Sequence, residues 1–141
     1  LNKDVNKIAG AGAAGGLGAG LVAFLNAELE TGIDIILDTV EFEKRLKNVD
    51  LVITGEGRLD GQSIYGKTPI GVAKRAKNHN IPVIAIAGSL GPGAKKVLDK
   101  GIDAYFSIID KPDNLKAVIK RSSELLESTA EQIIRIFLLN Y

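Results

Sequence analysis

Short apolar runs alternate with amphipathic stretches through the second half of this chain. Leu51–Thr54, Pro82–Ala87 and Ala104–Ile109 are apolar and rich in β-branched residues, the pattern of strands buried on both faces. Between and after them lie stretches of helical character at Ile70–Asn78, Ala94–Lys100 and Leu115–Leu139, the last as one or two helices. Thr68 is placed to cap the first of these, with Pro69 at the first helical position. Gly101 stops the second. Strands alternating with helices at this spacing predict βαβ units. The fold class expected is α/β: a small parallel sheet with flanking helices, with Leu125, Ile133, Ile136 and Phe137 among the buried positions.

The first third reads differently. Residues 9–20 hold six glycines and five alanines and lead into a helix over Leu21–Glu30. Leu21, Phe24, Leu25 and Leu29 fall on one face of it, and Thr31-Gly32 supplies a stop. Ile33–Val40 fits a short helix or a strand, and Glu41–Lys47 a helix. The expected organisation is a Gly/Ala-rich helical segment over 1–48 and an α/β portion over 49–141.

Composition narrows the function classes. A chain of 141 residues is about one domain's worth. Its net charge of +1 gives no reason to expect nucleic acid or an anionic membrane as partner. No apolar run approaches the ~20 residues of a membrane span. The polar start, Leu1–Lys7, lacks the apolar core of a signal peptide. Cysteine is absent, which excludes disulfides and thiolate metal sites and fits a reducing, cytoplasmic setting. The single histidine, His79, lies in a polar helix end and reads as solvated. Methionine is absent too, so the chain is expected to be a piece of something longer.

Candidate chemistry concentrates in Thr54-Gly-Glu-Gly-Arg-Leu-Asp-Gly-Gln-Ser63, just after the first apolar run. Loops at the carboxyl ends of parallel strands are where open α/β sheets bind ligands. Glu56, Arg58 and Asp60 alternate, so an extended backbone would point them to one side. Carboxylates beside an arginine suit Mg²⁺ and a phosphoryl group, and equally suit a solvated turn with local ion pairs. The amides of Gly88–Gly93 and the Ser89 hydroxyl offer further ligand contacts; a plain β-to-α turn explains them as well.

Two glycine strings match known patterns out of context. Gly10-x-Gly12-x-x-Gly15 has the letters of a dinucleotide fingerprint, but no strand is expected before it. Close helix packing, or an anion held at a helix entry, fits better. Gly61-x-x-x-x-Gly66-Lys67-Thr68 has the letters of a P-loop, but it does not follow its strand directly and Pro69 removes an amide. Lys67 is kept as a phosphate-neutralising candidate.

These residues together resemble the type I glycerate kinase family. The resemblance is carried by Gly10–Leu21, Asp50–Ser63, Gly66-Lys-Thr-Pro-Ile-Gly-Val-Ala73 and Pro82-Val-Ile-Ala-Ile-Ala-Gly-Ser89, in that order. It implies transfer of the γ-phosphoryl group of ATP to D-glycerate, with Mg²⁺, to give a phosphoglycerate. It also implies a two-domain α/β kinase more than twice this length, of which this chain is the carboxyl-terminal part and residues 1–48 come from the inter-domain region. The missing amino-terminal portion then becomes an expected partner. Without its strand the sheet would carry an uncovered apolar edge with residues such as Val83, Ile84 and Ile86, and self-association becomes an expected behaviour of the isolated chain. Asp60 is expected as base or metal ligand, Glu56 as a metal ligand, and Arg58 and Lys67 as charge stabilisers. Thr54, Gly55, Glu56, Gly57, Gln62, Ser63, Gly88 and Ser89 are expected to contact substrate or phosphate. The alternative is a non-catalytic α/β module that has kept the ligand loop.

Overall fold

The computed structural model describes residues 4–139. The first residues of the polar start, 1–3, lie outside the described residues. The chain divides into two compact units, Leu1–Val40 and Glu41–Tyr141.

In the first unit, α1 spans Ala13–Leu25 and α2 spans Gly32–Thr39. Ala14, Gly15 and Gly16 take left-handed φ values of 51°, 67° and 94°, so regular helix begins only after them. Glycine adopts such backbone at little steric cost, which explains the pair at 15–16. Gly18 has a different reason: a Cβ there would lie 2.8 Å from the Gly10 carbonyl oxygen. The glycine run thus serves a turn and a close approach, and no strand precedes it among the described residues. The expected helix over Leu21–Glu30 ends earlier, at Leu25, because Asn26 turns left-handed with φ 54°. Phe24 and Leu25 are correspondingly exposed, and Val22 is the buried residue of that helix turn. Thr31, expected as a stop, instead caps α2: its hydroxyl accepts from the Asp34 N–H at 3.3 Å.

The second unit begins with a short helix, α3 (Phe42–Arg45), followed by β1 (Val52–Leu59), α4 (Thr68–Lys77) and β2 (Val83–Leu90). A 3₁₀ helix (Ala94–Lys100), β3 (Ala104–Ser107), α5 (Leu115–Lys120) and α6 (Ser122–Leu138) complete it. The sheet is parallel throughout, in the order β1-β2-β3. Val52 pairs with Val83, and Ile84 with Ala104.

Two apolar layers sandwich the sheet. On one face Val83, Ala85, Ala87 and Leu59 pack with Ala73 and Ala76 of α4 and with Val97 and Ile102. The α4 contacts are small (Gly71, Ala73, Ala76), which lets the helix lie close on the strands. On the other face Ile86 and Ile108 pack with Leu125 and Ile133 of α6. These two positions are eight apart and share a helix stripe. Ile136 shares that stripe but sits in the last turn of α6, where it is 57% exposed, against expectation, and Phe137 is half-buried.

The helix start at α4 lies one residue earlier than expected. Lys67 is the N-cap, with extended backbone (φ −72°, ψ 158°), so Thr68 is already helical. Gly101, with φ 98°, ends the 3₁₀ helix as its C-cap. Two residues later, Asp103 ties the chain together. Its carboxylate accepts from the Val83 N–H at 2.7 Å and from Lys77 Nζ at 2.6 Å, joining α4, the start of β2 and the approach to β3.

Candidate functional site

The segment expected as a loop after β1 is mostly strand. β1 continues through Gly55-Glu-Gly-Arg-Leu59, and β2 likewise continues through Gly88-Ser-Leu90. The pairing is long because each strand finds a parallel partner there: Glu56 with Ala87, Arg58 with Ser89, Leu59 with Leu90. Beyond the strands, the Gly91 N–H donates to the Leu59 carbonyl at 2.7 Å and the Gly61 N–H to the Pro92 carbonyl at 2.9 Å. The two glycine-rich segments therefore lie side by side at the carboxyl end of the sheet.

Their contact is backbone on backbone. A Cβ at Gly88 would stand 2.6 Å from the Gly57 carbonyl oxygen, so no side chain fits at 88. Gly57 itself is different. A Cβ built there meets nothing within 4 Å, and its φ is not in the left-handed region. Neither strain nor crowding in this unit forbids a side chain at 57.

Gly57 faces open space because a cavity of about 710 Å³ lies there. Its sheet side is formed by Gly55, Glu56, Gly57 and Gly88, together with Ile86 and Ala87. Its far side is formed by Ile108, just past β3, and by Ser122, Ser123 and Leu126 at the start of α6. A second cavity of about 480 Å³ shares Gly57, Gly88, Ile108 and Ser122 with the first and extends to Ser89, Asp113 and α5. Three glycines at strand ends give these cavities a floor without side chains, where a ligand can approach the backbone.

The wall contributed by α6 is braced. Arg121, between α5 and α6, reaches Asp110 Oδ2 at 3.0 Å and Glu124 Oε1 at 3.3 Å. Hydrogen bonding to Glu124 and Asp110 raises the Arg121 pKa, and the same bond from Arg121 lowers that of the Asp110 carboxyl. The bridge links the segment after β3 to the start of α6, beside Ser122 and Ser123.

A second group of charged residues sits at the turn after β1. The Gln62 N–H donates to Asp60 Oδ1 at 2.9 Å, and the Asp60 N–H donates to Ser63 Oγ at 3.0 Å. Ser63 is fully buried, and its hydroxyl lies 3.5 Å from Asp60 Oδ1. Arg58 Nε stands 3.5 Å from Asp60 Oδ2. The guanidinium also lies against Gly91, where a Cβ would come within 2.7 Å of it. Gly91 thus gives Arg58 its resting place.

The structure therefore sorts the expected residues into groups. Gly55, Glu56, Gly57, Gly88 and Ser89 line the cavities. Arg58, Asp60, Gln62 and Ser63 form the adjoining turn. Thr54 is buried in β1, and Lys67 caps α4 without lining either cavity. Ser122, Ser123 and Asp113 escaped the sequence reading. The break between α5 and α6 that brings the two serines to the cavity leaves no glycine or proline as a signal.

Among the described residues no group of three or more His, Cys, Asp or Glu side chains could enclose a metal ion. Mg²⁺ does not require such a cage, since one or two carboxylates with substrate phosphates and water suffice. Glu56, half-buried, is of the right donor type and borders the cavity, but strand alternation places its side chain on the α4 face with Ala87 and not on the glycine floor. Asp60 fits it less well, because the Gln62 N–H and Arg58 already engage its oxygens.

Comparison with known proteins agrees with this architecture. The model of the glycerate kinase family matches residues 1–138. The chain is 53% identical to a glycerate kinase of Halalkalibacterium halodurans, over 94% of this chain and 35% of that protein. It is 54% identical to the glycerate 2-kinase of Escherichia coli K12, over 77% of this chain and 29% of that one. A crystal structure assigned to a glycerate kinase 2 of Salmonella typhimurium LT2 superposes with a TM-score of 0.71 at 46% identity, covering 99% of this chain and 36% of that one. The chain spans about a third of the length of these relatives. From the family match along nearly its whole length, and from relatives that share half its residues, the chain belongs to the glycerate kinase family.

Proposed function

We propose that this chain is the carboxyl-terminal part of a glycerate kinase and supplies a phosphate-handling surface for transfer of the ATP γ-phosphoryl group to D-glycerate. The observation that carries this reading is Gly57, a strand residue free of strain and crowding that keeps the cavity floor bare. Phosphoryl transfer needs positioning and charge neutralisation more than covalent chemistry. The exposed backbone of Gly55, Gly57 and Gly88 lets phosphate oxygens approach the sheet end. From the border of the cavity Glu56 would hold Mg²⁺, which when bound neutralises charge on the phosphates. Arg58 supplies positive charge next to the cavity and Lys67 a further one at the start of α4. Asp60 and Ser63 hold the turn that aims Arg58, so in this reading they position more than they touch. Gln62 closes the same turn, and Thr54 supports the strand beneath it.

The test is a kinetic one on the full-length protein carrying this chain. With ATP, Mg²⁺ and D-glycerate it should form a phosphoglycerate. Glu56→Gln should lower kcat by about 10²-fold, the usual loss for a removed electrostatic group. A wild-type protein that binds these ligands without turnover would favour a non-catalytic module instead.

A further inference from the structure

The second cavity has a composition that the phosphate chemistry does not use. Its walls are Ile108, Ile109, Leu115, Val118 and Ile119, and its polar groups are few: Ser89, Asp113 and Ser122. Leu115 and Ile119 are 73% and 61% exposed. Glycerate is small and polar throughout, and it would leave such walls unsatisfied. A flat heteroaromatic ring with a hydrogen-bonding edge matches them, because ligand pockets pair apolar walls with a few placed polar groups. The volume of about 480 Å³ lies within the range of small-ligand sites. Position adds a second argument. This cavity opens onto the glycine floor through Gly57 and Gly88, so one ligand can lay a ring here and a charged chain there.

We propose that the cavity between the β2 and β3 ends and α5 seats the purine base of the nucleoside triphosphate, with the Asp113 carboxylate or the Ser89 hydroxyl facing the polar edge of the ring. This rests on the nucleotide-dependent reading given above. It adds the direction of the nucleotide: base against α5, phosphates toward Gly55, Gly57 and Gly88, and acceptor beyond them.

Calorimetric titration of the full-length protein tests it, with ATP and inorganic tripolyphosphate as the two probes. Leu115→Trp and Ile119→Trp each fill the cavity from an exposed position. The expected result is a Kd for ATP raised about tenfold or more in both variants, equivalent to roughly 1.4 kcal/mol, with tripolyphosphate binding unchanged. Retained tripolyphosphate binding also reports that the variants are folded. Unchanged ATP binding, equal weakening of both probes in both variants, or a wild-type protein that binds no ATP would each overturn the base pocket. The two readings fail separately. Selective loss of ATP binding without any glycerate phosphorylation in the wild type keeps the pocket and removes the kinase reading. Phosphorylation with normal ATP dependence in both variants does the reverse.

Discussion

At the scale of single residues, the glycines divide by what surrounds them, and this makes them separable by mutation. Gly88→Ala forces a methyl carbon to within 2.6 Å of the Gly57 carbonyl, and backbone cannot give way as a side chain would. A loss of about 1–3 kcal/mol of stability is expected, as for other overpacked sites. Gly57→Ala meets open space and should leave the melting temperature nearly unchanged. Its methyl group enters the cavity floor, so activity of the full-length protein should fall while the fold survives. A calorimetric scan with a turnover assay distinguishes the two variants, and full activity in Gly57→Ala would remove the case for a bare floor. For the turn, Arg58→Ala and Asp60→Ala should each lower kcat more than they raise KM, since charge develops mainly in the transition state. Ser63→Ala should mimic Asp60→Ala in part, because its hydroxyl accepts from the Asp60 N–H. The chemical types at this site were legible in the sequence. What each one touches was not: nothing in the string Arg-Leu-Asp-Gly-Gln-Ser says that Ser63 is buried or that Gly91 receives Arg58.

At the scale of elements, apolar runs located all three strands and missed where they end: β1 and β2 run on past the expected ends, and β3 stops at Ser107, two residues short of the expected Ile109. Glycine and charge mark the end of a strand when read locally, yet Gly55–Leu59 stays in the strand because β2 offers partners on both sides of Gly57. Helix starts were legible to within a residue where proline marks them, as at α4. The division of the last helical stretch was left open, because Lys120 to Ser123 carries no breaker. The element-scale brace at Asp103 gives a pH prediction. Burial pushes its carboxyl up, but the Lys77 hydrogen bond and charge and the Val83 N–H outweigh this, and the net shift is downward. A lowered folded-state pKa means stability present above the unfolded value of about 3.9 and lost as pH falls through the folded one. Asp103 is 46% exposed on its side chain, so the contribution is modest after solvent screening. Asp103→Asn should destabilise by up to about 1 kcal/mol at pH 7, and the difference from wild type should close as pH drops below about 4. Urea unfolding of both proteins across that range measures it. A difference that persists undiminished at the acid end would show that the ion pair contributes nothing.

At the scale of the whole molecule, the sheet formed by the described residues has three strands, and among these residues the outer two pair on one side only. The sequence suggested that such an edge would expose Val83, Ile84 and Ile86. The structure corrects this: those residues belong to β2, which is central, with Val83 fully buried and Ile86 4% exposed. Strand order cannot be read from apolar pattern when all three runs are equally hydrophobic. The edges are β1 and β3, and they carry Ile53 at 40% and Phe106 at 36% exposure. β1 is eight residues long and lacks the lysines and prolines that blunt natural edges. Its central charges, Glu56 and Arg58, lie toward the carboxyl end, so the stretch from Val52 to Gly55 is uncharged. An uncharged strand edge with unpaired backbone groups is a template for another strand. The 141-residue chain by itself should therefore self-associate in a concentration-dependent way, and it should show little phosphorylation of glycerate without the remaining two-thirds of the length its relatives have. Ile53→Lys puts a charge on that edge and should shift the equilibrium toward monomer. Sedimentation velocity over a hundredfold concentration range reads the association, and an ATP-dependent assay reads the activity. A chain that stays monomeric throughout, and whose sedimentation Ile53→Lys leaves unaltered, would mean that the β1 edge is already protected by its own twist or by residues outside the sheet.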